Sequence, residues 1–166
     1  TSAELIPNDY DSPLRDTNDI NIYISQSGLS SIEHIGKIAS QEHNCQCWIL
    51  LIHVDSPGRT NEPNAGVLKN GFLGTCFIFN GKGLSASGVD AHEILHLFGA
   101  WDLYEGPGEQ SRTNAKMLRN MYPNEVMLNP HHSARTRTLS PVTAWRIGLS
   151  KEKEPWFDTI VPINQK

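Results

Sequence analysis

Several features are scarce in this 166-residue chain, and each absence excludes a class of protein. No apolar run approaches the ~20 residues needed to span a bilayer as a helix. No basic stretch followed by an apolar one opens the chain, so no export signal is visible. A start at Thr1 without Met reads as a processed product whose signal or pro-segment has been removed. Positive charge is in the minority: 14 Lys and Arg face 18 Asp and Glu, for a net charge of −4 and a pI near 5.9. That balance argues against nucleic acid as the main partner, because phosphate binding needs a basic face. Arg135, Arg137 and Arg146 read as solvated surface. Only three cysteines occur, Cys45, Cys47 and Cys76, none in the C-x-x-C spacing of a structural zinc site. A disulfide from Cys76 to Cys45 or Cys47 and three reduced thiols both stay open. Internal repeats and low-complexity segments are absent. A single domain with a sizeable core remains.

One stretch concentrates the chemistry: Ala91-His92-Glu93-Ile94-Leu95-His96-Leu97-Phe98-Gly99-Ala100-Trp101-Asp102. Four residues along a helix turn through about 400°, which brings positions i and i+4 onto one face. The rings of His92 and His96 can therefore converge on one point and supply half of a tetrahedral zinc site. Glu93 sits where a general base for metal-activated water would be needed. Gly99 reads as the helix stop, since Gly tolerates a left-handed backbone. A chain turning back there brings Asp102 round as a third ligand and leaves a fourth position open, as a catalytic zinc requires. Glu105, His131 and His132 are the substitutes for that third ligand. The apolar residues Val89, Ala91, Ile94, Leu95, Leu97 and Phe98 predict a buried helix with only the His/Glu strip polar. Ser87 and Asp90 resemble a capping box that starts it just before Val89.

Ahead of this helix, residues 1–18 read as an extended arm. Asp19–Ser25 alternates like a half-buried strand. Ser30 or Ser31 caps a helix through about Glu42, striped by Ile32, Ile35, Ile38 and Ala39. Cys47–Val54 reads as a buried central strand with His53 as a satisfied core histidine. Residues 55–71 read as a long surface loop, and Thr75–Phe79 as a third strand closed by the Asn80-Gly81 turn. Beyond the helix, Asn114–Met121 reads as a short helix, and Tyr122–Pro130 as a proline-bounded turn around Met127. Ser140-Pro141 starts a last helix that stops at Gly148. The layout is α+β: a small mixed sheet, the motif helix, a turn-rich segment and a C-terminal helix around a cleft. Its division falls into an N-terminal subdomain of about 1–99 and a C-terminal one of about 100–166.

The motif resembles that of the metzincin clan of zinc metallopeptidases, H-E-x-x-H-x-x-G-x-x-H followed by a Met-turn. His92, Glu93, His96 and Gly99 match it position by position, and Asp102 stands where the clan has its third His. That variant is similar to the snapalysin-type small secreted bacterial proteases. Asp102-Leu103-Tyr104 is similar to the immune-inhibitor-A type, whose motif continues G-x-x-D-x-Y. The resemblance covers the chain from about Ser87 onward, and places the Met-turn at Met127 rather than Met117 or Met121. It implies one catalytic Zn²⁺ held by His92, His96 and Asp102, with Glu93 as general base, Tyr104 or Tyr122 as oxyanion donors, and an extended polypeptide substrate. Gly74–Phe79 is then the candidate strand edge for pairing with substrate backbone. The implied setting is a monomeric secreted protease, nutritional or virulence-related, with periplasmic residence or delivery into a host cell as alternatives. Two other readings compete. An rRNA-maturation-type metalloendoribonuclease shares H-x-x-L-H-x-x-G, but it ends on His and wants a basic surface. A non-catalytic module would retain zinc for structure alone.

Overall fold

The computed structural model describes residues 24–25, 28, 30–44, 47–54, 61–65, 72–79 and 87–163, distributed over two compact units, Thr1–Lys82 and Gly83–Lys166. The division precedes the His/Glu helix. That helix therefore belongs with the C-terminal residues, not with an N-terminal subdomain reaching residue 99.

The first unit contains helix α1 (Ile32–Glu42) and strands β1 (Trp48–Val54), β2 (Asn61–Ala65) and β3 (Phe72–Phe79). Ser31 is the N-cap of α1, its hydroxyl accepting from the His34 amide at 3.1 Å. This satisfies one of the four orphan donors at a helix start. Gly36 lets α1 lie against β1, since a Cβ there would stand 2.9 Å from the Trp48 ring. The sheet order is β1-β3-β2, with β1 parallel and β2 antiparallel to β3. Several expectations are corrected here. Among the described residues β1 is an edge strand, and His53 is exposed rather than a core histidine. A continuous apolar run specifies a strand but not its place in the sheet. The β2 segment, Asn-Glu-Pro-Asn-Ala, lies inside what reads as loop. Its pairing slips between Asn61 and Asn64, on either side of Pro63, which has no amide proton for the ladder. Among the described residues Gly74–Phe77 is flanked by β1 and β2, and Ile78 and Phe79 pair with β1, so most of this strand is not the exposed edge expected for a substrate. Ile24 and Ser25 are helical rather than the end of a strand, and residues 19–23 lie outside the described set, as do the arm at 1–18 and the Asn80-Gly81 turn. Cys47 is exposed with a free thiol, which rules out a Cys47–Cys76 bridge. Cys76 is fully buried, and Cys45 lies outside the described residues.

The second unit holds helices α2 (Ser87–Leu97), α3 (Arg112–Met121) and α4 (Pro141–Arg146), with 3-10 turns at Ala134–Thr136 and Pro155–Ile160. Its core gathers Leu103, Leu118, Met127, Val142, Phe157 and Ile160, each at most 2% exposed. Ser111 and Ser140 cap α3 and α4 through their hydroxyls, and Pro141 occupies the first turn of α4. The start of α2 departs from the expected capping box. Its Ser87 hydroxyl accepts from the Ala134 amide at 2.9 Å, and the Gly88 amide donates to the His132 carbonyl at 2.9 Å. A Cβ at Gly88 would meet the Pro130 and His132 carbonyl oxygens at 2.4 and 2.3 Å, so this close approach demands glycine. The helix ends as Gly99 requires: its φ is +89°, its amide donates to His96, and the Ala100 amide donates to Leu95. The burial of α2 departs from expectation on its apolar faces, not at the His/Glu strip. His92 and Glu93 are among its most buried side chains, Ile94 and Leu95 are half-buried, and Phe98 is exposed. The polar strip faces inward because the His92 ring reaches the backbone of the Met127 turn (below). No helix among the described residues is long and apolar enough to cross a membrane.

Candidate metal centre

Helical spacing and the Gly99 turn together assemble a three-residue cluster. His92 and His96 lie one turn apart on α2, with ring centroids 4.6 Å apart and planes nearly perpendicular. The left-handed residue at Gly99 reverses the chain, and Asp102 arrives three residues later. Its Oδ1 lies 3.1 Å from His92 Nε2 and 3.3 Å from His96 Nε2, and the two Nε2 atoms are 3.1 Å apart. Among the described residues these are the three that could hold a metal ion together.

The protonation pattern decides what this triangle is for. His92 Nδ1 lies 3.3 Å from the Val126 carbonyl, and His96 Nδ1 lies 3.0 Å from the Ala100 carbonyl. A carbonyl only accepts, so in each neutral ring the proton sits on Nδ1 and the Nε2 lone pair points into the triangle. Three acceptors then face one another across about 3 Å, an arrangement that is repulsive without a cation or a proton between them. Asp102 Oδ1 is buried and accepts no hydrogen bond of acceptable geometry. A tetrahedral zinc with ligands at about 2.0–2.1 Å has ligand–ligand edges of about 3.3–3.4 Å. The observed edges come within a few tenths of an ångström of that, and the donor set of two neutral imidazoles and one carboxylate fits such an ion. Burial opposes ionisation of Asp102, but in the metal-free cluster a proton on a facing Nε2 of His92 or His96 hydrogen-bonds to Oδ1 and brings positive charge beside it, which holds the carboxyl well below the usual carboxylate range.

A second tier of contacts holds the third ligand. Tyr104 Oη donates to Asp102 Oδ2 at 2.9 Å, and its ring stacks on His92 with centroids 6.2 Å apart. The phenol's single proton is thus committed to Asp102 rather than left for an oxyanion. The buried Gln110 side chain donates to the Asp102 carbonyl at 3.2 Å and to the Ile160 carbonyl at 2.8 Å. Glu93 is 8% exposed, next to His92, and its charge contributes to raising the Tyr104 phenol. Burial raises that phenol most, followed by the negative charge of Asp102.

A pH titration checks this contact. The folded value of Tyr104 is raised, so the contact contributes stability fully present below the usual tyrosine value of about 10 and lost as pH rises through the folded value. Absorbance at 295 nm followed through alkaline pH will show a late tyrosinate step well above the usual tyrosine value. Tyr104→Phe will remove that late step. A titration curve unchanged by Tyr104→Phe would contradict the contact.

The other predicted residues are placed differently. Met127 is fully buried in the core beneath the turn, whereas Met117 is half-buried and Met121 exposed on α3. Tyr122 stacks on Trp156 at 6.4 Å within an aromatic cluster that includes Phe157. Glu105 pairs through its backbone with Gln110 and is exposed, as are His131 and His132. None of these three joins the cluster. Arg146 lies 4.6 Å above the Trp101 ring, so its charge is stacked rather than only solvated. Sequence reasoning missed Gly88, Gln110 and the partner of Tyr104. A glycine two residues into an otherwise well-formed helix is the one signal that was available.

Comparison with models of protein families, with curated proteins and with solved structures returns no match for this chain.

Proposed function

We propose that the chain is a zinc-dependent endopeptidase acting on polypeptides, with kinship to the metzincin clan resting on the motif from His92 to Asp102. The observation that carries this reading is the inward convergence of three lone-pair donors, His92 Nε2, His96 Nε2 and Asp102 Oδ1, within 3.1–3.3 Å of one another beside a buried glutamate. Three protein donors leave a fourth position available, the mark of a catalytic rather than a structural zinc site. Zinc held there supplies Lewis acidity, which acidifies water toward a pKa of about 7 and polarises a carbonyl.

The chain's own residues do the rest. His92 and His96 present fixed Nε2 lone pairs because their Nδ1 protons are held by backbone carbonyls. Asp102 adds a negative charge, which moderates the Lewis acidity relative to an all-imidazole site, and Tyr104 draws some of that charge back through its hydrogen bond. Glu93 takes the proton of the attacking water and delivers it to the departing amine.

The test is a single preparation carried through two measurements. Purified protein will contain zinc at one ion per chain, and it will cleave casein or a proteome-derived peptide library. A hydroxamate, which needs an open coordination position, will block the cleavage, and chelation will abolish it. Stoichiometric zinc with no cleavage of any peptide would leave a structural metal site and defeat the proposal.

A further inference from the structure

Glu125 stands apart from every other carboxylate in the described residues. It is fully buried, although it sits in an otherwise apolar run with Val126, Met127 and Leu128, and the reading above gives it no task. Burying an ionised carboxylate is costly unless donors converge on it. Here three do. The Met127 amide and the Thr143 hydroxyl each donate to Oε1 at 3.2 Å, and the Ser140 amide donates to Oε2. One side chain thereby joins the turn at Met127 to the N-terminus of α4. Backbone pairing extends the brace: Val126 donates to the Thr138 carbonyl at 3.1 Å, and Thr138 donates to Asn124 at 2.8 Å.

The braced turn is the segment that faces the metal ligands. The Val126 carbonyl accepts the His92 Nδ1 proton, and the Met127 carbonyl accepts from the amide of Leu103, the residue after Asp102, at 3.0 Å. Two adjacent carbonyls thus set the tautomer of one ligand and the backbone course beside another. Both carbonyl positions depend on a turn that Glu125 holds from inside. We propose that Glu125 is the positioning residue of the metal centre, fixing His92 and Asp102 through the Val126 and Met127 carbonyls without itself contacting the ion. This rests on the metal reading given above.

Glu125→Gln keeps the shape and changes the hydrogen-bond polarity. A carboxylate accepts at both oxygens, whereas the amide nitrogen only donates. Whichever way the amide turns, one end sets two donors face to face, either at Ser140 or at Met127 and Thr143. Zn²⁺ affinity would be measured by competition with a chromophoric chelator, and the visible absorption bands of Co²⁺-saturated protein would report ligand geometry. The proposal expects a loss of Zn²⁺ affinity of up to about 10–100-fold, the range for removing a direct partner of a ligand such as the Val126 carbonyl that Glu125 holds, together with shifted Co²⁺ bands at saturation. Unchanged bands at saturation overturn it, whatever happens to the melting temperature, because a merely structural role lowers stability without altering the coordination. If Glu125→Gln does not fold, Thr143→Val, which deletes one of the three donors, is read in the same assay by the same criterion. A wild-type protein that takes up neither Zn²⁺ nor Co²⁺ fails the metal reading itself. Wild-type uptake with unshifted Glu125→Gln bands fails only the role of Glu125.

Discussion

Glu93→Ala will retain one zinc per chain and lose peptide-bond cleavage by a factor of about 10²–10⁴ or more, the range for removal of a positioned general base. The two effects separate because Glu93 is not among the three metal-holding residues. It follows His92 directly on α2, in the same buried strip, at 8% exposure. Deleting it removes a negative charge that acts on Tyr104 but none of the metal ligands. Glu93→Gln is the sharper comparison, since it keeps the volume and removes only the basicity. Zinc content by elemental analysis and initial rates on casein, taken on the same samples, decide the matter. A Glu93→Ala protein that cleaves at the wild-type rate would show that another group moves the proton, and the proposed mechanism would be wrong.

What could be read in the sequence was local. Ser31, Ser140-Pro141 and Gly99 act through their own residue chemistry, a hydroxyl cap, a preset φ and a missing Cβ, and each marks a boundary where the structure has one. The i, i+4 spacing of His92 and His96 is likewise local geometry, and the reversal at Gly99 needs only three more residues to return Asp102 to them. What could not be read depends on partners far along the chain. The place of β1 at an edge and β3 in the centre depends on β2, a polar segment with no alternation and a proline. Ser87 looks like a cap but is turned to Ala134, 47 residues on. The Tyr104 hydroxyl, expected as an oxyanion donor, is turned to Asp102 instead. Glu125 is the strongest case. Two of its donors lie 15 and 18 residues away, and no spacing rule marks a single glutamate two residues before a methionine as a brace.

Asp102→Ala will abolish tight zinc binding, a loss of roughly a thousand-fold or more, beyond the 10–100-fold cost of losing a partner one step removed from the metal. Three consequences follow from the geometry. First, the two remaining Nε2 atoms still converge at 3.1 Å, so weak two-ligand binding survives and elemental analysis after dialysis will show substoichiometric metal. Second, Tyr104 loses its acceptor and the negative charge that helps to raise its phenol, so its titration moves back toward the ordinary tyrosine range. Third, no nearby side chain restores the ligand set, because Glu105, His131 and His132 are exposed and outside the cluster. Asp102→Asn distinguishes charge from shape. The amide keeps an oxygen near the position of Oδ1 but lacks the charge that draws a cation and that His92 and His96 stabilise. Zinc affinity for Asp102→Asn will fall between those of wild type and Asp102→Ala, and pH titration of apo protein will lose the acid-range contribution of this carboxylate. That contribution is present above the unfolded aspartate value near 3.9 and lost as pH falls through the depressed folded one. Retention of tight stoichiometric zinc by Asp102→Ala would place the third ligand elsewhere, and with it the charge that sets the reactivity of the metal.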